Sequence, residues 1–146
     1  MIPHLEIEMK TFEELGGRKI LEKGTKLFYD KVYAHPWLGR FFKDVPQEII
    51  EGQQIDFLQG ALGGKKVYCG RLPIPTHTHM FITDEVFDLR SEILVEALQE
   101  VQACNELIER ILKVDQAFRG GIVKKTVGDC EKRYFTDELM IITKPS

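Results

Sequence analysis

Pro73-Ile74-Pro75-Thr76-His77-Thr78-His79-Met80-Phe81-Ile82-Thr83 is the stretch that decides how this chain is read. Two closely spaced prolines forbid a long helix and favour turn or extended backbone. They close a longer segment, Lys65 to Thr76, whose Gly70, Pro73 and Pro75 mark an extended loop. That loop delivers two histidines, His77 and His79, just before a helix start: Thr83 is the cap, and Asp84 and Glu85 suit the N-terminal dipole. A loop histidine between threonines is in most proteins merely solvated. His77 stands out because of an ordered set upstream: Phe28-Tyr29, Phe41-Phe42, Gln53-Gln54 and Gly63-Gly64.

Working outward, helical periodicity dominates. Thr11-Phe12-Glu13-Glu14 has the form of a capping box, so a short helix is expected there, ended by Gly16-Gly17. From Arg18 to about Tyr33, Ile20, Leu21, Leu27, Phe28 and Val32 share one helical face. Pro36 opens a short turn carrying Trp37, Leu38, Phe41 and Phe42. Asp44-Val45-Pro46 predicts another helix start with Asp44 as cap. Its stripe is Ile49, Ile50, Gln54, Phe57, Leu58, Ala61 and Leu62, ended by Gly63-Gly64. Val86, Phe87, Ile93, Leu94, Ala97, Leu98 and Val101 form the stripe of the helix after Thr83. Asn105 is the expected cap of the last one, striped by Leu107, Ile108, Ile111, Leu112, Val114 and Phe118 up to Gly120-Gly121. Beyond it Tyr134-Phe135 and 139–143 are β-prone, as is the alternating Leu5-Glu6-Ile7-Glu8-Met9. Either the termini form a short β-ribbon, within one chain or between two, or they are loosely ordered tails.

Composition bounds the function. The 146 residues suit one domain with a real core. Charged residues at 29% and a net charge of −3, with no basic block, argue against nucleic acid as a partner. No apolar run approaches the roughly 18 residues of a membrane span. Met1-Ile2-Pro3-His4-Leu5-Glu6 has no apolar secretory core. Cys69, Cys104 and Cys130 have no metal-type spacing and read as free thiols, so a cytoplasmic location is expected.

The segments Thr11–Gly17, Phe28-Tyr29-Asp30-Lys31-Val32, Phe41-Phe42, Gln54-Ile55-Asp56-Phe57-Leu58, Ala61-Leu62-Gly63-Gly64 and Tyr68-Cys69-Gly70 are followed by a histidine five residues before Ile82. In this order and spacing the chain resembles a truncated haemoglobin, closest in pattern to group I. The resemblance runs from about residue 11 to 119. It implies an all-α, two-over-two globin-like helical sandwich around one haem b. The corresponding division is an N-terminal extension 1–10, a globin domain 11–121 and a C-terminal extension 122–146.

The site residues follow from that resemblance. His77 is the implied iron ligand, its second ring nitrogen needing an acceptor to fix the ring. His79 is the rival, and belongs near a propionate or in solvent. Tyr29 and Gln54 are the implied distal pair, hydrogen-bonding a bound diatomic ligand. The bland account of Tyr29 is one more core aromatic, whereas Gln54 on an apolar stripe demands a partner. Ile50 falls where many globins carry a distal histidine, leaving the iron five-coordinate. Phe42 stacks on the haem face, Phe28 lines the pocket, Phe57 and Phe87 complete the cofactor contacts, and Gln53 faces outward or the haem edge.

Arg90 departs from the pattern, because relatives carry a bulky apolar side chain there. The expectation is a helix rotated by one residue with Leu89 inward; the alternative has Arg90 reaching a propionate or an anionic ligand. The implied ligands are O2, NO and CO at ferrous iron. Three uses stay open: nitric oxide dioxygenase with an external reductase, gas carrier or sensor, and haem-free interaction module. Lys124-Lys125 and the tail are the candidate surface for a homodimer or other partner.

Overall fold

A computed structural model describes residues 10–146. The chain is all-α among these residues. The first long helix, α1, spans Gly17–Ala34. It starts behind Gly16, whose φ of 118° lies in the left-handed region that favours glycine. The Thr11 box does form: the Thr11 amide donates to Glu14 Oε1 at 2.8 Å and the Glu14 amide to Thr11 Oγ1 at 3.2 Å. What it caps is a single turn rather than a helix, because the chain must reverse at Gly16-Gly17. Leu21, Gly24, Thr25, Phe28, Tyr29 and Val32 make the buried face of α1.

After a 3-10 turn at Leu38–Phe42, α2 spans Gln47–Ala61. Pro46 and not Asp44 is its cap residue. Asp44 lies two residues too early for its carboxylate to serve the first amides of the helix. Ile49, assigned to the apolar stripe, is 55% exposed. Most of the stretch 65–76 is extended as expected, but Pro73–His77 closes into a one-turn helix, α3, with proline at its first position. The next helix, α4, spans Asp84–Glu100, and Thr83 Oγ1 accepts the Val86 amide at 3.2 Å, as its sequence predicts. The last, α5, spans Asn105–Ile122, with Cys104 at the cap and Asn105 already inside the helix. It runs through Gly120-Gly121, where Gly121 lets Ile74 of α3 lie against it.

Two helix pairs, α1 with α2 and α4 with α5, meet where α1 packs on α4, and α3 rests on α5. The core between them is built from Phe28, Val32, Leu58, Leu94, Leu98, Leu107 and Ile111. No described helix is long and apolar enough to cross a membrane. Residues 5–9, one side of the terminal ribbon that the sequence left open, lie outside the described residues, and the C-terminal segment meets the chain after His77 through parallel bridges Met80–Met140 and Ile82–Val123. Lys124 is no surface residue: only 7% of it is exposed.

The α1–α4 crossing depends on Gly24. A Cβ there would stand 2.8 Å from Leu98 Cδ2 and 3.6 Å from Val101 Cγ2. Overpacking of this kind costs about 1–3 kcal/mol. Gly24→Val should therefore lower the urea midpoint at unchanged slope. An unchanged midpoint would show that the crossing has slack.

Candidate functional site at His77

The helices of the fold enclose one cavity of about 170 Å³. α1 contributes Tyr29, the 3-10 turn Phe42, and α2 contributes Ile50, Gln53, Gln54 and Phe57. The opposite wall holds His77, Ile82, Phe87 and Arg90, with Val114, Asp115 and Phe118 from α5. A second cavity of about 60 Å³ is lined by Phe28, Phe41 and Val86, and shares Phe42, His77, Ile82 and Arg90 with the first.

His77 is the last residue of α3. Helical side chains lean toward the N-terminus, so its ring reaches back one turn. Its Nδ1 lies 2.5 Å from the Pro73 carbonyl oxygen. A carbonyl only accepts, so Nδ1 carries the proton and donates, and the lone pair is left on Nε2. Burial first, then the nearby Arg90 and Lys124 cations, push the His77 pKa down to about 4, against a smaller opposing effect of the Pro73 bond. The imidazole is neutral at physiological pH. His79 goes elsewhere. It is 5% exposed, lines neither cavity, and its Nδ1 has no hydrogen-bond partner among the described residues. Neither solvent nor the cavity receives it, because it lies past the end of α3 and under the C-terminal segment.

Tyr29 is 4% exposed, and its hydroxyl has no protein hydrogen bond among the described residues, whereas Tyr33 and Tyr68 bond the Val45 and Arg71 carbonyls. Burial, partly offset by Arg90, pushes its pKa up to about 12, so the phenol stays a donor. The ring is fixed edge-on between Phe28, at 4.8 Å, and Phe42, at 5.8 Å. Gln54 is half-buried in the same wall and Gln53 is exposed at its rim. Phe57 packs on Phe118 at 5.9 Å and on Tyr68 at 5.4 Å.

The geometry overturns the expectation at Arg90. Arg90 lines the cavity, while Leu89 lies in a surface groove with Trp37 and Lys144. The guanidinium is tolerable there because Nη1 donates to Asp115 Oδ2 at 2.7 Å and the group stacks 5.2 Å over the Phe28 ring. Burial opposes its charge, but Asp115 outweighs that and raises its pKa. Asp115 escaped the sequence reading, although it shares a helical face with Ile108, Ile111, Phe118 and Ile122; a carboxylate on that face was the signal. Tyr68 and Arg71 join the wall from the loop, where no periodicity marks them.

A neutral imidazole with one nitrogen anchored and the other bare, in the wall of an aromatic cavity, has the chemistry of an axial haem ligand. The residues present therefore fit a haem.

Comparison with known proteins agrees. A model of bacterial-like globins matches residues 10–124. A group 1 truncated hemoglobin of Tetrahymena thermophila is 34% identical over 103 residues, 70% of this chain and 85% of that protein. Another, of Tetrahymena pyriformis, is 32% identical over 78% of this chain and 94% of its own length. The crystal structure of the Tetrahymena pyriformis truncated hemoglobin in its Fe(III) form superimposes with a TM-score of 0.71 at 32% identity, covering 78% of this chain and 97% of that one. The 2/2 hemoglobin of Synechococcus sp. PCC 7002 gives 0.69 at 28% identity, covering 77% and 96%. The two paired helices over two paired helices, the one-turn helix before His77 and the family match together show that this chain belongs to the bacterial-like globins, as a group I truncated haemoglobin.

Proposed function

We propose that the chain holds one haem b through His77 Nε2 and uses the cavity between Tyr29, Gln54 and Phe87 to bind O2, NO or CO. The observation that carries this reading is the anchored imidazole: Nδ1 bonded to Pro73 and a neutral ring in a cavity wall that also contains an unpartnered buried phenol. The haem iron supplies the gas-binding position when bound. The chain does the rest. His77 would supply the nitrogen that holds the iron, Phe42, Phe57 and Phe87 supply apolar walls that exclude water, and Ile50 brings no side chain that could compete for it. Tyr29 and Gln54 donate hydrogen bonds to the diatomic ligand, which satisfies a hydroxyl and an amide the protein leaves free. Arg71 at the rim is the cation available to a propionate.

Gas carriage and conversion of nitric oxide to nitrate draw on the same pocket. Nitrate formation from nitric oxide and dioxygen takes one electron from the iron per cycle, so that use needs an external reductase. The three free cysteines suit a reducing cytosol.

Haem added to the purified protein should bind one to one and give an intense Soret band, lost in His77→Ala and kept in His79→Ala. The reverse pattern would make His79 the ligand. Tyr29→Phe should speed dioxygen release by about 2–10-fold, the worth of one net hydrogen bond. Because the phenol titrates only near pH 12, that ratio should stay flat from pH 6 to 10. An unchanged off-rate would reduce Tyr29 to packing. Arg90→Leu strands the Asp115 carboxylate, and should cost about 1.5–3 kcal/mol in urea unfolding, the worth of a charged hydrogen bond. The Arg90→Leu/Asp115→Leu double variant should recover most of it; two additive losses would show that the pair is not coupled.

A further inference from the structure

The C-terminal segment beyond α5 does not hang free. It grips the residues that follow α3 one carbonyl after another. Lys124 Nζ donates to the His77 carbonyl, the Glu131 amide donates to the Thr78 carbonyl at 2.8 Å, and the Met140 amide donates to the His79 carbonyl at 2.8 Å. The Phe81 amide returns a bond to the Met140 carbonyl, and the Lys124 amide reaches the Ile82 carbonyl, both at 2.8 Å. A lysine only 7% exposed is an expensive way to satisfy one carbonyl. It sits on the one carbonyl belonging to His77.

The grip is itself braced. Arg133 clamps Asp137 through Nε at 2.8 Å and Nη2 at 2.9 Å, fixing the turn between Glu131 and Met140. Trp37 Nε1 donates to the Ile142 carbonyl at 3.2 Å, and Lys144 pairs with Glu85 at 2.6 Å, docking the end of the segment on the 3-10 turn and α4. Glu131, Arg133, Asp137, Met140, Ile142 and Lys144 all lie beyond residue 124, where the match to the bacterial-like globins stops.

We infer that the segment from Lys124 to Met140 is a proximal clamp, in which Lys124 and Met140 are positioning residues that fix the orientation of His77 toward the iron. The inference rests on reading His77 as the haem ligand. Pro73 holds the ring from the side of α3; the clamp holds the backbone of His77 and of the two residues after it. Shared hydrogen bonds convert the C-terminal segment into part of the outer shell of the site, and such groups typically alter metal affinity 10–100-fold.

The test uses the full chain carrying Lys124→Met, which removes the donor to His77, and separately Met140→Pro, which removes the amide that donates to the His79 carbonyl. The two changes strike the clamp at sites sixteen residues apart in sequence, so a folding defect in one leaves the other informative. Resonance Raman of the reduced protein reads the iron–histidine stretching band, and transfer of haem to an apo-myoglobin acceptor reads haem loss. Each variant should move the band to lower frequency and speed haem loss about 10-fold. In haem-free protein each should also speed hydrogen exchange at the Phe81 amide. Wild-type protein that takes up no haem would overturn the pocket reading, and the clamp with it. Wild type that binds haem, with both variants keeping its band and its haem-loss rate, would overturn the clamp alone.

Discussion

The hydrogen bond from His77 Nδ1 to the Pro73 carbonyl is the contact on which the rest of the site depends. It requires a full helical turn between the two residues and nothing longer, and α3 is one turn long. Proline at the first position fixes the turn where its own amide would have had no helical partner. The bond chooses the tautomer, and burial keeps the ring neutral, so a lone pair is prepared before any ligand arrives. The arrangement is a preorganised one, in which the folding of a few residues does the work that an adaptable loop would have to do on binding.

Around that nitrogen the cavity balances polar against apolar demands. Its walls are rich in aromatic side chains, yet polar ones enter beside His77, among them Tyr29, Gln54, Arg90 and Asp115. Arg90 and Asp115 answer one another and form a neutral pair. Among the described residues Tyr29 and Gln54 have no such partner, and both line the cavity. On the proposed reading the Arg90–Asp115 charges are neutralised within the wall, and the hydrogen-bonding capacity of Tyr29 and Gln54 is kept for the ligand. A small neutral molecule that accumulates negative charge on binding matches that division.

Much of this was legible in the sequence because it rests on periodicity and on short ordered motifs. The faces of α1, α4 and α5 and the Thr83 cap all leave local signatures, whereas the one-turn helix Pro73–His77 lies in a stretch whose prolines read as extended loop. Asp44 and Asn105 misled because residue type favours a cap while the true boundary is set by where the backbone leaves extended geometry, at Pro46 and Cys104. Arg90 misled for a different reason. A guanidinium is unwelcome in an apolar cavity unless a carboxylate meets it, and that carboxylate, Asp115, is twenty-five residues away on another helix. The C-terminal clamp was invisible for the same reason: apart from the Lys124 side chain, its bonds to the residues around His77 are main-chain to main-chain across long separations, and no side-chain pattern announces them. Pairings that tertiary structure alone creates are the part that a single sequence withholds.

The most direct test of the account is the protonation state of His77 in haem-free protein, read from its imidazole 15N shifts at neutral pH and assigned with the His77→Ala variant. The account predicts a neutral ring with the proton on Nδ1 and a bare Nε2, persisting down to about pH 4. A proton on Nε2, or an imidazolium at pH 6, would contradict it, because the nitrogen meant for iron would then already be occupied.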